Sequence, residues 1–470
     1  DLPTDARRVY ARYMEAFAGF LSHTDHHLGR LFAHLEASGE LDDTLVVVLS
    51  DNGASSEGGP LGSLNDARTW NLRGTTIEEA LARLDEIGGP RVHNNYPWGW
   101  TVAGNTPFRR WKREVHEGGV ADPLIVRWPR GIAARGENRR QYVHAIDVAP
   151  TLLEAAGVAA PRDIGGVPQR PMEGTSFAYS FDAATAPDRH ETQYYEMFGC
   201  RALYHRGWKA VVYHPIQAAE PGLDAVPWEL YDVREDPSEC HDLAAKHPER
   251  LQELVERWWV EAARHQVLPL DNRPLSALVI DRPQSVPPRA CYVYHPDAAP
   301  VPEIVAAHVK NRSHTITAEV EVPAGGAEGV LAVQGSVLGG WSLHVADGRL
   351  CYEHNLSGLE RHRVESPEPL PAGSHRLAFR FTKTGEHQGV GALLIDDRVV
   401  AEAEIPHFTP GRFSLTGAGL TCGYAFEFPP SDDYQAPFRF TGRLHRVRIE
   451  VEGAPRIDPD AEVAAAVASQ

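Results

Sequence analysis

Two short stretches carry residue types that could do chemistry together. Ser50-Asp51-Asn52-Gly53 ends the apolar run Leu45 to Leu49, and Lys112 closes the segment Pro107-Phe108-Arg109-Arg110-Trp111-Lys112. Adjacent carboxylate and amide oxygens suit a hard cation such as Ca²⁺ or Mg²⁺. Gly53 lets the backbone turn away, so the Asp51 and Asn52 side chains can face one point. Asp-Asn-Gly is also an ordinary turn, and this stretch alone leaves both readings open. Lysine is a compact point charge that can bind one oxygen of an anion. It is scarce here: Lys112, Lys209, Lys246, Lys310 and Lys383 are all there are, so each merits a look. His116 lies four residues beyond Lys112, with nothing to distinguish it from any loop histidine. His23, Asp25, His26 and His27 read as a solvated helix face before they read as a metal cluster.

The elements that must position these residues follow from pattern. Tyr13, Phe17, Phe20, Leu21, Leu28, Leu31, Phe32 and Leu35 recur at helical spacing and Gly39 stops the run, which predicts an amphipathic helix. The mostly β-branched run Leu45 to Leu49 predicts a strand buried on both faces, ending in a polar loop that holds Asp51 and Asn52. In open α/β sheets ligands bind outside the carboxyl ends of such strands. A short helix is expected from Thr76 to Ile87, stopped by Gly88, Gly89 and Pro90. The aromatic, turn-rich stretch from His93 to Gly119 reads as an ordered functional loop, and a second strand runs from Pro123 to Trp128.

With 470 residues, 42% of them hydrophobic, the chain predicts two or three folded domains. Its 46 basic against 64 acidic residues give a formal charge of −18, which argues against nucleic acid as a partner. An anionic substrate then needs a locally positive site. Cys200, Cys240, Cys291, Cys351 and Cys422 are widely spaced and contain no C-x-x-C pair, so neither a disulfide framework nor a zinc site is expected. No apolar run approaches a membrane span, and a soluble protein of cytoplasm or periplasm is expected.

The motifs occur in a specific order: SDNG, N-T-P-F-R-R-W-K, H-E-G-G-V-x-D-P-L-I-V-x-W-P, then H-A-I-D-V-A-P-T-L-L from His144 and P-M-E-G-T-S from Pro171. From Asp1 to roughly Leu270 the chain resembles the second half of the catalytic domain of a bacterial arylsulfatase, in the alkaline phosphatase superfamily. YHRGWKAVV from Tyr204 and the stretch from Trp228 to Leu243 are also similar to that family. The resemblance implies an alkaline phosphatase-like α/β core over 1–190 and a small antiparallel α+β subdomain with a closing helix over 191–275. It further implies Asp51 and Asn52 as Ca²⁺ ligands, Lys112 as a contact to a sulfate oxygen, and hydrolysis of a small-molecule sulfate monoester. A cation plus an ammonium aimed at the sulfate group would stabilise the charge developed on its oxygens.

The family's nucleophile is a formylglycine made from Cys or Ser in a C-x-P-x-R or C-x-A-x-R context, and none of the five cysteines has that context. The resemblance therefore implies that formylglycine and the remaining metal ligands lie in sequence N-terminal to this chain, which opens at Asp1 as a fragment would. A chain holding half a site is expected to be inactive alone. Two other readings stand beside it: a phosphate or phosphonate monoester hydrolase of the same superfamily, and a noncatalytic carbohydrate-binding or scaffold protein derived from a sulfatase.

Beyond a Pro-rich linker from Asp271 to Arg289 the pattern changes. His314 to Val322, Arg376 to Phe381 and Val447 to Val451 alternate apolar and polar residues. Hairpins are expected about Asp347-Gly348 and Asp396-Asp397. These features predict an all-β sandwich of jelly-roll or lectin-like type over 286–455, with Trp341 and Tyr352 in its core and a frayed tail from Pro455.

Overall fold

Local chemistry accounts for most of the elements. In the computed structural model, which describes residues 2–214, 223–270, 288–413, 419–454 and 458–468, the first helix spans Thr4–Ala37. Gly39 follows it at φ +74° and donates its N–H to Glu36 O. The helix Ile77–Ala82 is opened by a reciprocal cap in which Thr76 Oγ1 accepts from Glu79 N and the Glu79 carboxylate accepts from Thr76 N. All but the last two residues of the predicted Pro-rich linker fall outside the described residues.

The chain divides into two compact units that interleave along the sequence: 18–56 with 98–274, and 1–17 with 57–97 and 275–470. In the first unit, strand β1 (Val46–Leu49) pairs antiparallel with β2 (Leu124–Arg127), Val47 facing Val126. The expectation that this strand is buried on both faces is not met: Val48 and Leu49 are more than 40% exposed, and so is Ile125 on β2. Among the described residues the two strands pair only with each other, so no flanking strand extends the sheet over them. Part of the apolar stripe of the long helix is bare as well, with Phe20, Leu21 and Leu31 exposed while Tyr13 is buried.

A two-residue ribbon, β3 (Asp163–Ile164) with β4 (Val167–Pro168), precedes a four-stranded antiparallel sheet. That sheet consists of β5 (Thr192–Met197), β6 (Cys200–His205), β7 (Trp208–Val212) and β8 (Glu229–Asp232) in sequential order. The helix Pro248–Arg264 closes it, burying Leu254, Trp258 and Ala262 against Leu203, Ala210 and Leu230. The predicted loop from His93 is indeed ordered, but it contains the helix Trp98–Asn105 and the short turn of helix Glu117–Val120.

The second unit is built on two antiparallel sheets. One has the order β17-β16-β15-β10-β19-β9: Arg398–Ile405, Gln388–Ile395, Gly373–Gly385, His314–Val322, Arg443–Val451 and Cys291–Tyr294. The other has the order β14-β13-β12-β11-β18: Glu360–Glu365, Arg349–Leu356, Gly339–Ala346, Gly329–Ser336 and Thr421–Cys422. Both predicted hairpins form, with Asp347 and Gly348 at φ +51° and +73° and Asp396 and Asp397 at +51° and +68°. Two consecutive positive φ values match the right-handed strand twist. Trp341 and Tyr352 are fully buried, Tyr352 stacked on Phe379 across the sandwich. The tail from Pro455 is not frayed throughout: Pro459–Ala468 is helical, packs on the helix Asp66–Trp70 and buries Ala461.

Candidate active site

The loop after β1 is held by backbone contacts that only glycine permits. Ser50 N–H donates to Pro123 O, Gly53 N–H donates to Gly119 O, and Ser50 Oγ donates to Asn52 O at 2.8 Å. A Cβ on Gly53 would lie 1.8 Å from Gly118 O, and one on Gly119 would lie 1.9 Å from Glu114 O. The glycines of SDNG and HEGG are thus two sides of one contact. Asn105 ties a third segment to it: its Oδ1 accepts from Ala54 N at 2.9 Å, and its Nδ2 donates to Arg110 O and Gly118 O, each at 2.8 Å. Arg110 and Arg113 sit at φ +70° and +78°, a region that non-glycine residues rarely occupy, so the basic loop holds strained backbone beside the candidate ligands.

The next two motifs are braced in the same manner. Asp147, buried, accepts from His144 N and Thr175 N and faces His190 Nδ1 at 2.8 Å. A Cβ on Gly174 would meet Ile146 O at 2.0 Å, so P-M-E-G-T-S lies directly against H-A-I-D. This fixes His144, whose imidazole is pushed below its usual range, chiefly by burial.

These segments enclose a cavity of about 460 Å³. Asp51, Glu117 and Asp122 line it, with Tyr142, His144 and Arg234 also on its wall. Burial, then the charges of Asp51 and Glu117, push the Asp122 carboxyl up to about 6. Glu117 is partly neutralised by Lys209 Nζ at 2.5 Å, and Lys209, 1% exposed, also lies 3.6 Å from Glu239. Burial opposes the Lys209 charge, but the two glutamates outweigh it and raise its pKa. Beneath the basic loop, Glu229 receives His116 Nε2 at 3.2 Å, Tyr231 OH at 2.6 Å and Arg109 Nη1 at 3.1 Å.

Of the predicted site residues, Asp51 is exposed on the cavity wall and Asn52 is half-buried beside it. Lys112 is half-buried, and its N–H donates to Ala54 O at 3.1 Å, which brings the basic segment against the chain just past Asn52. Its side chain is not part of the cavity wall. His116, undistinguished in sequence, is fully buried as a partner of Glu229. Glu117, Asp122 and His144 are not singled out as ligands by residue type or spacing, although each stands inside a motif that carries the resemblance.

Residues 1–158 match the sulfatase family model, and residues 109–264 match the C-terminal model of N-sulphoglucosamine sulphohydrolase. An uncharacterized sulfatase of Schizosaccharomyces pombe is 31% identical over 279 residues, 57% of this chain and 46% of that protein. N-acetylglucosamine-6-O-sulfatase of Bacteroides thetaiotaomicron is 26% identical over 53% of this chain and 35% of that protein. The arylsulfatase of Klebsiella aerogenes is 25% identical over 42% of this chain and 40% of that protein. The chain thus spans less than half the length of each of these relatives. Motif order and both family models agree that residues 1–264 of this chain are similar to the sulfatases.

Proposed function

We propose that the chain supplies one side of the active site of a sulfate-monoester hydrolase, presenting Asp51 and Asn52 as Ca²⁺ ligands and Lys112 as a sulfate-binding ammonium. The observation that carries this reading is the convergence of Asp51, Glu117 and Asp122 on one cavity beyond β1, where burial and the neighbouring carboxylates push Asp122 up to about 6. Such a cluster fits a hard cation with oxygen ligands. When bound, Ca²⁺ supplies electrostatic stabilisation of negative charge on the sulfate oxygens. Asp51 and Asn52 orient it through a loop that Gly53 and Asn105 fix, and Lys112 adds a point charge for one oxygen.

The nucleophile in this reading is a formylglycine on a polypeptide outside these 470 residues. In support, Cys200, Cys351 and Cys422 are buried thiols pushed up to about 11, 11 and 12 by burial, the opposite of activation. The chain alone is therefore expected not to turn over 4-nitrophenyl sulfate. Joined to a sulfatase segment carrying matured formylglycine, it is expected to do so with Ca²⁺-dependent saturation kinetics. In that joined protein Asp51→Ala is expected to cut turnover by orders of magnitude. Lys112→Ala is expected to cut kcat/KM strongly with little change in Tm. Saturable, Ca²⁺-dependent hydrolysis by the chain alone would overturn the half-site assignment, and wild-type turnover by Asp51→Ala at limiting Ca²⁺ would overturn the metal assignment.

A further inference from the structure

Away from the cavity, the described residues hold two places where three potential metal-binding atoms lie within 4.8 Å of one another, both in the sandwich. The first, His344, Cys351 and Asp433, is closed by its own partners. Arg363 donates to Asp433 and, at 3.5 Å, to Cys351 Sγ, and His344 Nε2 lies 2.9 Å from Asp433 Oδ2. An arginine seated on two of three donors leaves no place for a cation.

The second group, Glu360, His362 and His407, is built differently. Glu360 and His362 alternate on β14, so both side chains fall on one face of that strand. β14 and β17 are the edge strands of the two sheets and lie against each other, and His407 comes two residues after β17 ends. Glu360 Oε2 is 2.7 Å from His407 Nδ1 and 3.4 Å from His362 Nε2. His362 Nε2 is shielded from solvent and makes no well-aligned hydrogen bond. Tetrahedral zinc with bonds of about 2.0–2.1 Å sets its ligand atoms about 3.3 Å apart. Of the two separations from Glu360, one already matches and the other needs to open by about 0.6 Å, while the His362 and His407 donor atoms lie within 4.8 Å of each other.

The supports of the group are rigid. Phe408, next to His407, is buried in the sandwich core and stacks on His354 at 4.1 Å. Thr409 N–H donates to His354 Nε2 at 3.2 Å, and Phe408 N–H donates to His387 O. The His407 backbone is thus anchored on its far side while its ring, about half exposed, is turned to Glu360.

We propose that Glu360, His362 and His407 form a three-ligand site for a borderline divalent ion, best matched by Zn²⁺, which ties the two sheets of the sandwich together at their paired edges. Two imidazoles and one carboxylate are the donor set such an ion prefers over Ca²⁺ or Mg²⁺. The ion takes the place of the proton between His407 Nδ1 and Glu360, His407 holding it as the neutral ring protonated at Nε2, and the exposed side leaves a fourth position for water.

The test uses the untagged 470-residue chain, stripped with a chelator, in a His23→Ala/His27→Ala background. That background removes a surface histidine pair whose Nε2 atoms are 3.1 Å apart. Zn²⁺ titrated calorimetrically is expected to bind at one equivalent and to raise Tm. Co²⁺ is expected to give tetrahedral visible bands without a thiolate charge-transfer band. His362→Ala/His407→Ala is expected to weaken Zn²⁺ binding at least a hundredfold and abolish the Tm rise, while Cys351→Ser leaves both unchanged. His407→Ala alone, at an exposed position, is expected to keep the unliganded Tm and still lose most of the affinity. Absence of saturable binding, wild-type affinity in either histidine variant, or loss of binding in Cys351→Ser would overturn the proposal.

Discussion

Among individual residues, Glu229 shows most directly how the basic loop depends on charge. The hydrogen bond from His116, then those of Tyr231 and the charge of Arg109, outweigh burial and draw its carboxyl from an ordinary 4.5 down to about 2. A folded-state pKa below the unfolded one adds stability that is complete above the unfolded value and is lost as pH falls through the folded value. Acidification from about pH 5 to pH 2 is therefore expected to destabilise the wild type more steeply than Glu229→Gln, followed as the denaturant midpoint at each pH. Parallel curves for the two proteins would show that Glu229 does not hold the loop. The same comparison bears on His116, because a His116 Nε2–H that donates to Glu229 leaves Nδ1 buried without a partner. His116 is thus committed to holding the loop, and its position beside the motif lysine does not make it a group that meets substrate.

Elements here are positioned by close backbone approach more than by side-chain packing. The turn after β1 and the helix Glu117–Val120 touch through Gly53, Gly118 and Gly119, and the Cβ distances leave no room for any other residue. Gly53→Ala is expected to destabilise the first unit by about 1–3 kcal/mol, because the atom it would strike is a backbone carbonyl that is itself bonded to Asn105. Gly99, inside the helix Trp98–Asn105, is the opposite case, since a Cβ added there would meet nothing within 4 Å. Gly99→Ala is expected to be neutral or to stabilise by up to about 1 kcal/mol. Equal changes in Tm for the two variants would refute the contact argument. The strand, the turn and both sandwich hairpins are legible in the sequence because their signals are local: a β-branched run, an Asp-Asn-Gly turn, Asp-Gly and Asp-Asp at positive φ. The exposure of β1 is not legible, because an apolar run reports what a strand could bury and carries no information about whether a neighbour covers it.

On the scale of the whole molecule, the sequence order of the parts is a poor guide to which parts belong together. Residues 57–97 stand between two sulfatase motifs, yet they pack with the sandwich unit. No periodicity announces this, because the link is a set of side-chain amides. Asn65 Nδ2 donates to Ser357 O at 3.0 Å. Asn71 does more: its Nδ2 donates to Ala67 O, Ser357 Oγ and Arg412 O at 2.7, 3.0 and 2.9 Å, and its Oδ1 accepts from Gly411 N and Arg412 N. Asn71 is 3% exposed, so removing its amide strands several buried backbone groups. Each stranded group carries a desolvation penalty of about 1–3 kcal/mol, reduced where water can enter. Asn71→Ala is therefore expected to destabilise the sandwich unit by several kcal/mol, and Asn71→Asp, which sets a buried carboxylate against the Ala67 and Arg412 carbonyls, by at least as much. Hydrogen exchange distinguishes the origin of the effect. If the helix Asp66–Trp70 is part of the sandwich's cooperative unit, Asn71→Ala should speed exchange in that helix and in the segments around Ser357 and Gly411 together. Faster exchange confined to residues 57–97, with the β11 to β13 amides unchanged, would mean that this segment docks on the sandwich without contributing to its stability.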